Sequence, residues 1–280
     1  MSQSHELRFH ITQLEEIRSI LNAMKNLAFM EIHKLSRFQT MQGKAVANIE
    51  NAALDFLSFN PELAIEEDYH KHIAILVGTE RGFCGDFNKS LVEALNKDKY
   101  SGVIAVGSRL ANKLSENPLP IISEIAGANV AEEVPSIINQ LINTLSASEE
   151  TGKLLGLSQL AIRLTVIYHD YAVGFITQRQ LFPPFPTQQK KAVQFAYPPI
   201  LNLEAAEFYT DLISYYLFAA LHEVFYISLM AENNNRLRHL EGAIMHLDDE
   251  TVNLHRKLQI YRQEEITEEI EVILLNSPST

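Results

Sequence analysis

The sequence predicts an α/β protein in which the N- and C-terminal helices form an antiparallel two-helix coiled coil and carry an inserted Rossmann-like α/β domain. Three observations lead there. First, an apolar side chain recurs about every 3.5 residues from Leu7 through Ile11, Leu14, Ile17, Leu21, Met24, Ala28, Ile32, Leu35, Phe38, Met41, Ala45, Ile49 and Ala52 to Phe56, the period of a coiled-coil seam. Second, the far end of the chain answers with Leu237, Leu240, Ile244, Leu247, Thr251, Leu254, Leu258 and Tyr261, spaced three and four in alternation. Third, the stretch between has glycines, prolines and short β-branched runs. The division expected is 1–60 for the first coiled-coil helix, 61–198 for the insertion and 199–280 for the second helix.

From Leu7 to Asn60 the chain holds one glycine, Gly43, and no proline before Pro61, so the first helix spans about fifty residues, roughly 75 Å. Within the insertion, His72–Val77 and Val103–Val106 read as buried strands, each ending at a glycine and followed by a helical segment. Phe87–Asn96, Ser108–Glu116 and Glu132–Leu145 are the expected helices. Ala161–Tyr168 and Val173–Leu181 give further strands before Pro183-Pro184-Phe185-Pro186 closes the domain. The second long helix is expected after Pro198-Pro199, with Asn202 as its N-cap, and ends near Asn276-Ser277-Pro278.

Composition narrows the function. At 280 residues and 46% apolar content the chain folds, and its single cysteine, Cys84, excludes an internal disulfide. Phe208–Ala231, the most apolar window, is interrupted by Asp211, His222 and Glu223, so no bilayer-spanning helix is expected. The first twenty residues, with Glu15 and Glu16, fit no secretory or organelle leader. The net charge of −12 argues against a nucleic-acid binder. Lys and Arg number 6 against 6 acidic residues in 1–57, 12 against 15 in 58–202, and 5 against 14 in 203–280. The excess therefore sits on the second long helix, as a solvated face or as a surface for a basic partner.

The two helices differ in length. If they meet the insertion at the same level, equal rise sets Leu7 opposite about residue 253, and everything after Leu254 protrudes. That end carries Ile266, Ile270, Ile273, Leu274 and Leu275, a patch that calls for an enclosing partner. Glu264, Glu265, Glu268 and Glu269 beside it set like charges at i,i+4.

No catalytic constellation emerges. Gly78-Thr79-Glu80-Arg81-Gly82-Phe83-Cys84-Gly85 follows a strand and precedes a helix, where a phosphate cradle would sit, but it has neither the spacing of a dinucleotide fingerprint nor the Gly-Lys-Ser/Thr of a nucleotide loop. A tight structural turn with a small buried cysteine is expected. His70 with His72, and His239 with His246, lack companions at metal-ligand spacing. His169-Asp170 has no nucleophile elbow or paired carboxylate. Neither cofactor nor metal is expected.

These residues resemble the gamma subunit of F-type ATP synthases. The family's first helix, I-R-x-x-I-x-S-x-x-x-T-x-K-I-T-x-A-M-x-x-V-A, is matched by Leu7-Arg8, Ile11, Ile20, Ala23-Met24 and Leu27-Ala28; its S/T-D-R-G-L-C-G-x-x-N by Thr79 to Gly85 with Asn88; and its R-Q-x-x-I-T-x-E-x-x-E-I by Arg262-Gln263, Ile266-Thr267, Glu269 and Ile273. The chain departs from the pattern at Ala28-Phe29-Met30-Glu31-Ile32-His33-Lys34, where the family is basic, at Leu258-Gln259, where it has Tyr-Asn, and at Val272, where it has Glu. These departures point to a divergent branch, such as the alternative sodium-type synthases.

The resemblance implies a non-catalytic central-stalk rotor shaft, held inside a ring of three alpha and three beta subunits and standing on the epsilon subunit and the c-ring. It would lie peripherally on the cytoplasmic face of the membrane, without inserting into it. Met24, Arg262, Gln263, Ile266, Thr267, Glu269, Ile270 and Ile273 would face the ring, while Arg81, Gly82, Cys84, Gly85 and Asn88 would shape the turn of the foot domain. A static coiled-coil scaffold presenting an α/β module is the alternative.

Overall fold

The computed structural model describes residues 3–64, 71–96, 98–115, 119–147, 162–185 and 197–276. Of the sequence expectations, His70, Glu116, Ala161, Pro186, Ser277 and Pro278 fall outside these residues. The elements in chain order are α1 (Gln3–Phe59), β1 (Lys71–Val77), α2 (Phe87–Ala94), β2 (Gly102–Val106), α3 (Ser108–Leu114), β3 (Ile121–Ile125), α4 (Val134–Ala147), β4 (Ile162–Asp170), β5 (Phe175–Phe182) and α5 (Ala205–Asn276), with single 3-10 turns at Pro61–Leu63 and Ala131–Glu133. Contacts gather into two compact units, Met1–Phe29 with Arg236–Thr280, and Met30–Asn235.

The first unit is the antiparallel pairing of the outer parts of α1 and α5. Ile11 and Leu14 bury against Leu254 and Leu258, with Leu7 and Leu247 at the margin. Leu21 buries against Leu240 and Ile244, with Met24 beside them. Each fully buried leucine in such a seam contributes about 1.5–3 kcal/mol. Arg18 of α1 forms an ion pair with Asp248 of α5, which at equal rise sets Leu7 level with about residue 259. The expected stagger, with Leu7 opposite about residue 253, is corrected by roughly a turn and a half. Its cause is local: α5 begins at Ala205 rather than just after Pro199, and Asn202 lies outside it and does not cap it.

The second unit is built on a five-stranded sheet of order β3-β2-β1-β4-β5. β1, β2, β3 and β4 run parallel and β5 returns antiparallel to β4. The chain steps from β1 to β2 to β3 on one side and then crosses from β3 to β4 on the other side of β1, so the strand order reverses at β1, a Rossmann-like arrangement. The strands alternate faces. Ile73, Ile75, Ile104, Val106, Leu164 and Val166 pack with α4 and with the inner parts of α1 and α5, while Ala74, Leu76, Val103, Ala105 and Ile167 pack under α2 and α3. With both faces covered, β1 and β2 read as the continuous apolar runs seen in the sequence. β3 was not expected: its burial alternates and its residues Ile121-Ile122-Ser123-Glu124-Ile125 form no apolar run.

The stretch of α5 around 208–231 is long and apolar enough, by length and composition, to cross a membrane, contrary to the sequence expectation. Most of it is buried within the unit: Leu212, Ile213, Ala220, Leu221, Val224 and Phe225 belong to the core. Its charge is also used internally, since Arg179 of β5 pairs with both Glu223 of α5 and Glu50 of α1. Gly43 is the only glycine in α1, and a Cβ there would lie 3.1 Å from Glu223 Oε1.

The seam on α1 also moves. Beyond Leu35 the buried positions are Val46, Ala53 and Phe56, whereas Phe38, Met41, Ala45 and Ala52 are exposed. A helix of 3.6 residues per turn drifts by about 20° per heptad against a strict 3.5 repeat. Here the inner part of α1 faces the unit's core rather than a supercoiled seam, so the drift is not corrected.

Candidate functional site

Two sets of residues carry the functional expectation, and each belongs to a different unit. The first is the end of α5. Arg262, Gln263, Thr267 and Glu269 are exposed, and so are Ile266, Ile270, Ile273, Leu274 and Leu275, at 51–85%. Tyr261 is the last half-buried seam residue. The helix continues to Asn276 without proline or glycine, sustained by good helix formers such as Glu and Leu. Met24, expected with this set, is half-buried and packs against the Leu21, Leu240 and Ile244 cluster, so its side chain is mostly engaged within the coil.

The second set is the turn between β1 and α2. Asn88 ties both sides of it: its amide Nδ2 donates to Thr79 Oγ1 at 2.8 Å, and the Thr79 N–H donates to Asn88 Oδ1 at 3.0 Å. Asn88 is buried, so these bonds satisfy groups that would otherwise be costly to bury. Cys84 is buried, its Sγ 3.4 Å from the Gly82 carbonyl and 3.8 Å from Glu232 Oε1. Gly85 has φ +59, a conformation glycine adopts without a steric penalty. Gly82 has open space around it and no positive φ. The left-handed residue beside it is Phe83, at φ +63 and 55% exposed. Arg81 is exposed.

Sequence reasoning missed the residue that organises this turn. Glu80 sends its carboxylate to the start of α3 and to the loop after β3, accepting from the Ser108 N–H at 2.9 Å, the Ser108 hydroxyl at 2.8 Å and the Gly127 N–H at 2.7 Å. Burial alone would raise its pKa, but the three hydrogen bonds outweigh this and hold it below the usual carboxylate value. These donors lie beyond the carboxyl ends of β2 and β3, and Glu80 beyond that of β1, the edge at which a parallel sheet takes its ligands. Here a carboxylate of the chain itself occupies them. Gly107 makes room nearby, with φ +110 and a would-be Cβ 2.7 Å from the Thr79 carbonyl. The only hint in the sequence was an acidic residue directly after the strand-ending Gly78-Thr79.

Glu31, one of the departures from the family pattern, also has a structural role. It is buried and accepts from the Ala131 N–H at 2.6 Å, satisfying the start of the turn that leads into α4. Lys34, one helical turn on, bridges Glu31 and Glu132. His72 is likewise committed: its Nε2 lies 2.8 Å from Thr165 Oγ1, and burial, with Lys99 and Arg163 adding to it, lowers its pKa to about 4.

Comparison with known proteins is consistent along the whole chain. A family model described as ATP synthase matches residues 3–275. The chain is 24% identical over 285 residues to the ATP synthase gamma chain of Clostridium botulinum strain Langeland, covering 96% of this chain and 95% of that one. It is 22% identical over 282 residues to the gamma chain of Clostridium perfringens strain SM101, with the same coverage. Among solved structures, the rotor of the Euglena gracilis mitochondrial ATP synthase aligns with TM-score 0.59 at 13% identity, over 94% of this chain and 98% of that one. The central stalk and c-ring structure of the Tetrahymena thermophila mitochondrial ATP synthase aligns with TM-score 0.58 at 17% identity, over 80% and 99%. With the paired terminal helices, the inserted mixed sheet and a family match running from Gln3 to Leu275, the chain belongs to the gamma-chain family of ATP synthases.

Proposed function

We propose that this chain is the rotor shaft of an F-type ATP synthase, coupling ion-driven turning of the membrane c-ring to conformational change in a surrounding ring of three alpha and three beta subunits. In this reading the shaft is not catalytic. Each beta subunit meets a different face of an asymmetric shaft, its nucleotide affinity shifts accordingly, and turning the shaft moves the three sites through their states in sequence. The α/β unit is the foot, standing on the epsilon subunit and the c-ring at the cytoplasmic face of the membrane, with its turn held by Asn88 and Glu80.

The observation that carries the proposal is the exposed apolar end of α5, which extends past the last seam residue, Tyr261. A bare apolar stripe of this kind marks a surface covered by another protein, and a surrounding ring supplies that cover. A static scaffold would instead cover it by forming a homodimer through the tip, whereas the shaft reading places one copy among three alpha and three beta chains. Truncation after Tyr261 tests the role: the shortened chain keeps every seam residue and is expected to assemble with alpha and beta chains while losing ATP synthesis driven by ion flow. Unchanged synthesis by the truncated complex would overturn the torque-bearing role of the tip.

A further inference from the structure

Beyond Arg262 the chain contains no Lys or Arg, and it carries Glu264, Glu265, Glu268, Glu269 and Glu271. Glu264, Glu268, Glu269 and Glu271 make no ion pair among the described residues. All of these glutamates except Glu265, which is half-buried, are exposed. Their spacing is unfavourable for an isolated helix. Glu264 and Glu268 stand at i,i+4, as do Glu265 and Glu269, which sets like charges side by side.

The charges have a side. At 100° per residue, Glu264, Glu268 and Glu271 share one face of the helix, and Ile266, Ile270 and Ile273 share the opposite one. The tip thus presents an apolar stripe backed by an acidic ridge, both exposed. An apolar collar alone would cover the stripe and leave the ridge desolvated and unpaired, at high cost.

We infer that the collar receiving this tip presents lysine or arginine side chains to the ridge of Glu264, Glu268 and Glu271, in addition to an apolar lining for the isoleucine stripe. The inference rests on the shaft reading and specifies the chemistry of the partner at the same site. The collar's cations would offset the repulsion along the ridge from outside, supplying counter-charge that this stretch of the chain lacks. They would also set partner choice, since a purely apolar collar would bind this tip poorly.

The test uses the full chain with its cognate alpha and beta subunits and the triple variant E264Q/E268Q/E271Q. In the isolated chain the variant is expected to gain helicity by circular dichroism, because repulsion is relieved. In the complex it is expected to bind about tenfold more weakly at low ionic strength, and the affinity of the native complex, but not that of the variant, is expected to fall as salt is raised. This opposite response of free chain and complex is not produced by a purely structural role. Equal affinity and equal salt dependence for native and variant complexes would overturn the basic collar and leave the shaft reading standing. Failure of the native chain to assemble with alpha and beta subunits at all would overturn both.

Discussion

Arg18 of α1 and Asp248 of α5 meet in a two-point ion pair, Nε to Oδ1 and Nη2 to Oδ2, that marks the stagger of the two helices. Both side chains are nearly half exposed, so the pair reports the register more than it supplies the stability. Stability at this level comes from Leu240, fully buried against Leu21 and Ile244. Leu240→Ala is expected to destabilise the chain by about 2–5 kcal/mol, whereas Arg18→Ala should leave the denaturation midpoint nearly unchanged. Urea unfolding of the two variants side by side checks the ranking.

Glu80 gives the turn after β1 a pH dependence. Its pKa is lowered in the folded chain by the Ser108 and Gly127 donors. Its contribution to stability is therefore fully present above the unfolded carboxyl value of about 4.3 and is lost as the pH falls through the lower folded value. Acid titration of the native protein should show this loss, and Glu80→Gln should remove it. An identical acid profile for Glu80→Gln would contradict the assignment.

Glu31 is expected to behave as a structural acceptor. Replacing it with alanine strands the Ala131 N–H in a buried position, at a cost of about 1–3 kcal/mol. Glu31→Gln retains an acceptor and should recover much of the loss. Thermal unfolding of the two variants distinguishes them.

Arg179 joins β5 to both long helices through Glu50 at 3.0 Å and Glu223, with the Tyr216 ring beneath its guanidinium. Its side chain is only 23% exposed and that of Glu223 17%. Removing the cation leaves the Glu223 carboxylate poorly solvated and unpaired, while Glu50, 41% exposed, stays in water, so Arg179→Ala is expected to cost about 1–3 kcal/mol. The double variant Arg179→Ala with Glu223→Gln should recover part of that, measured by chemical denaturation.

The parts of this fold that the sequence made legible are those whose physics is local and periodic. β1 and β2 announced themselves as apolar runs because both faces of the sheet are covered, and the carboxyl-terminal seam from Leu237 to Tyr261 is buried or half-buried throughout. β3, at the sheet edge with alternating burial, left no such run. Ile17, expected on the seam, is 45% exposed because its neighbour Arg18 faces α5. The stagger was misjudged because it depends on where α5 starts, and Pro198-Pro199 pointed to a start several residues too early.

At the candidate sites the same distinction holds. The isoleucine stripe on the tip was readable because helical spacing alone puts it on one face. The task of Glu80 was not, since its donors lie 28 and 47 residues away in sequence and meet only once the parallel strands have paired. Glu31 looked like a mere departure from a basic pattern, and its partner at Ala131 is 100 residues away.

Turning of this chain inside its complex tests the central claim most directly. Cys84 is buried and is the only cysteine, so Val173→Cys, on an exposed hairpin turn, gives a selective attachment point for a bead on the α/β unit. With alpha and beta subunits fixed to a surface and ATP supplied, stepwise rotation of the bead in one direction is the expected result. A bead that stays fixed while the same complexes hydrolyse ATP would contradict the account.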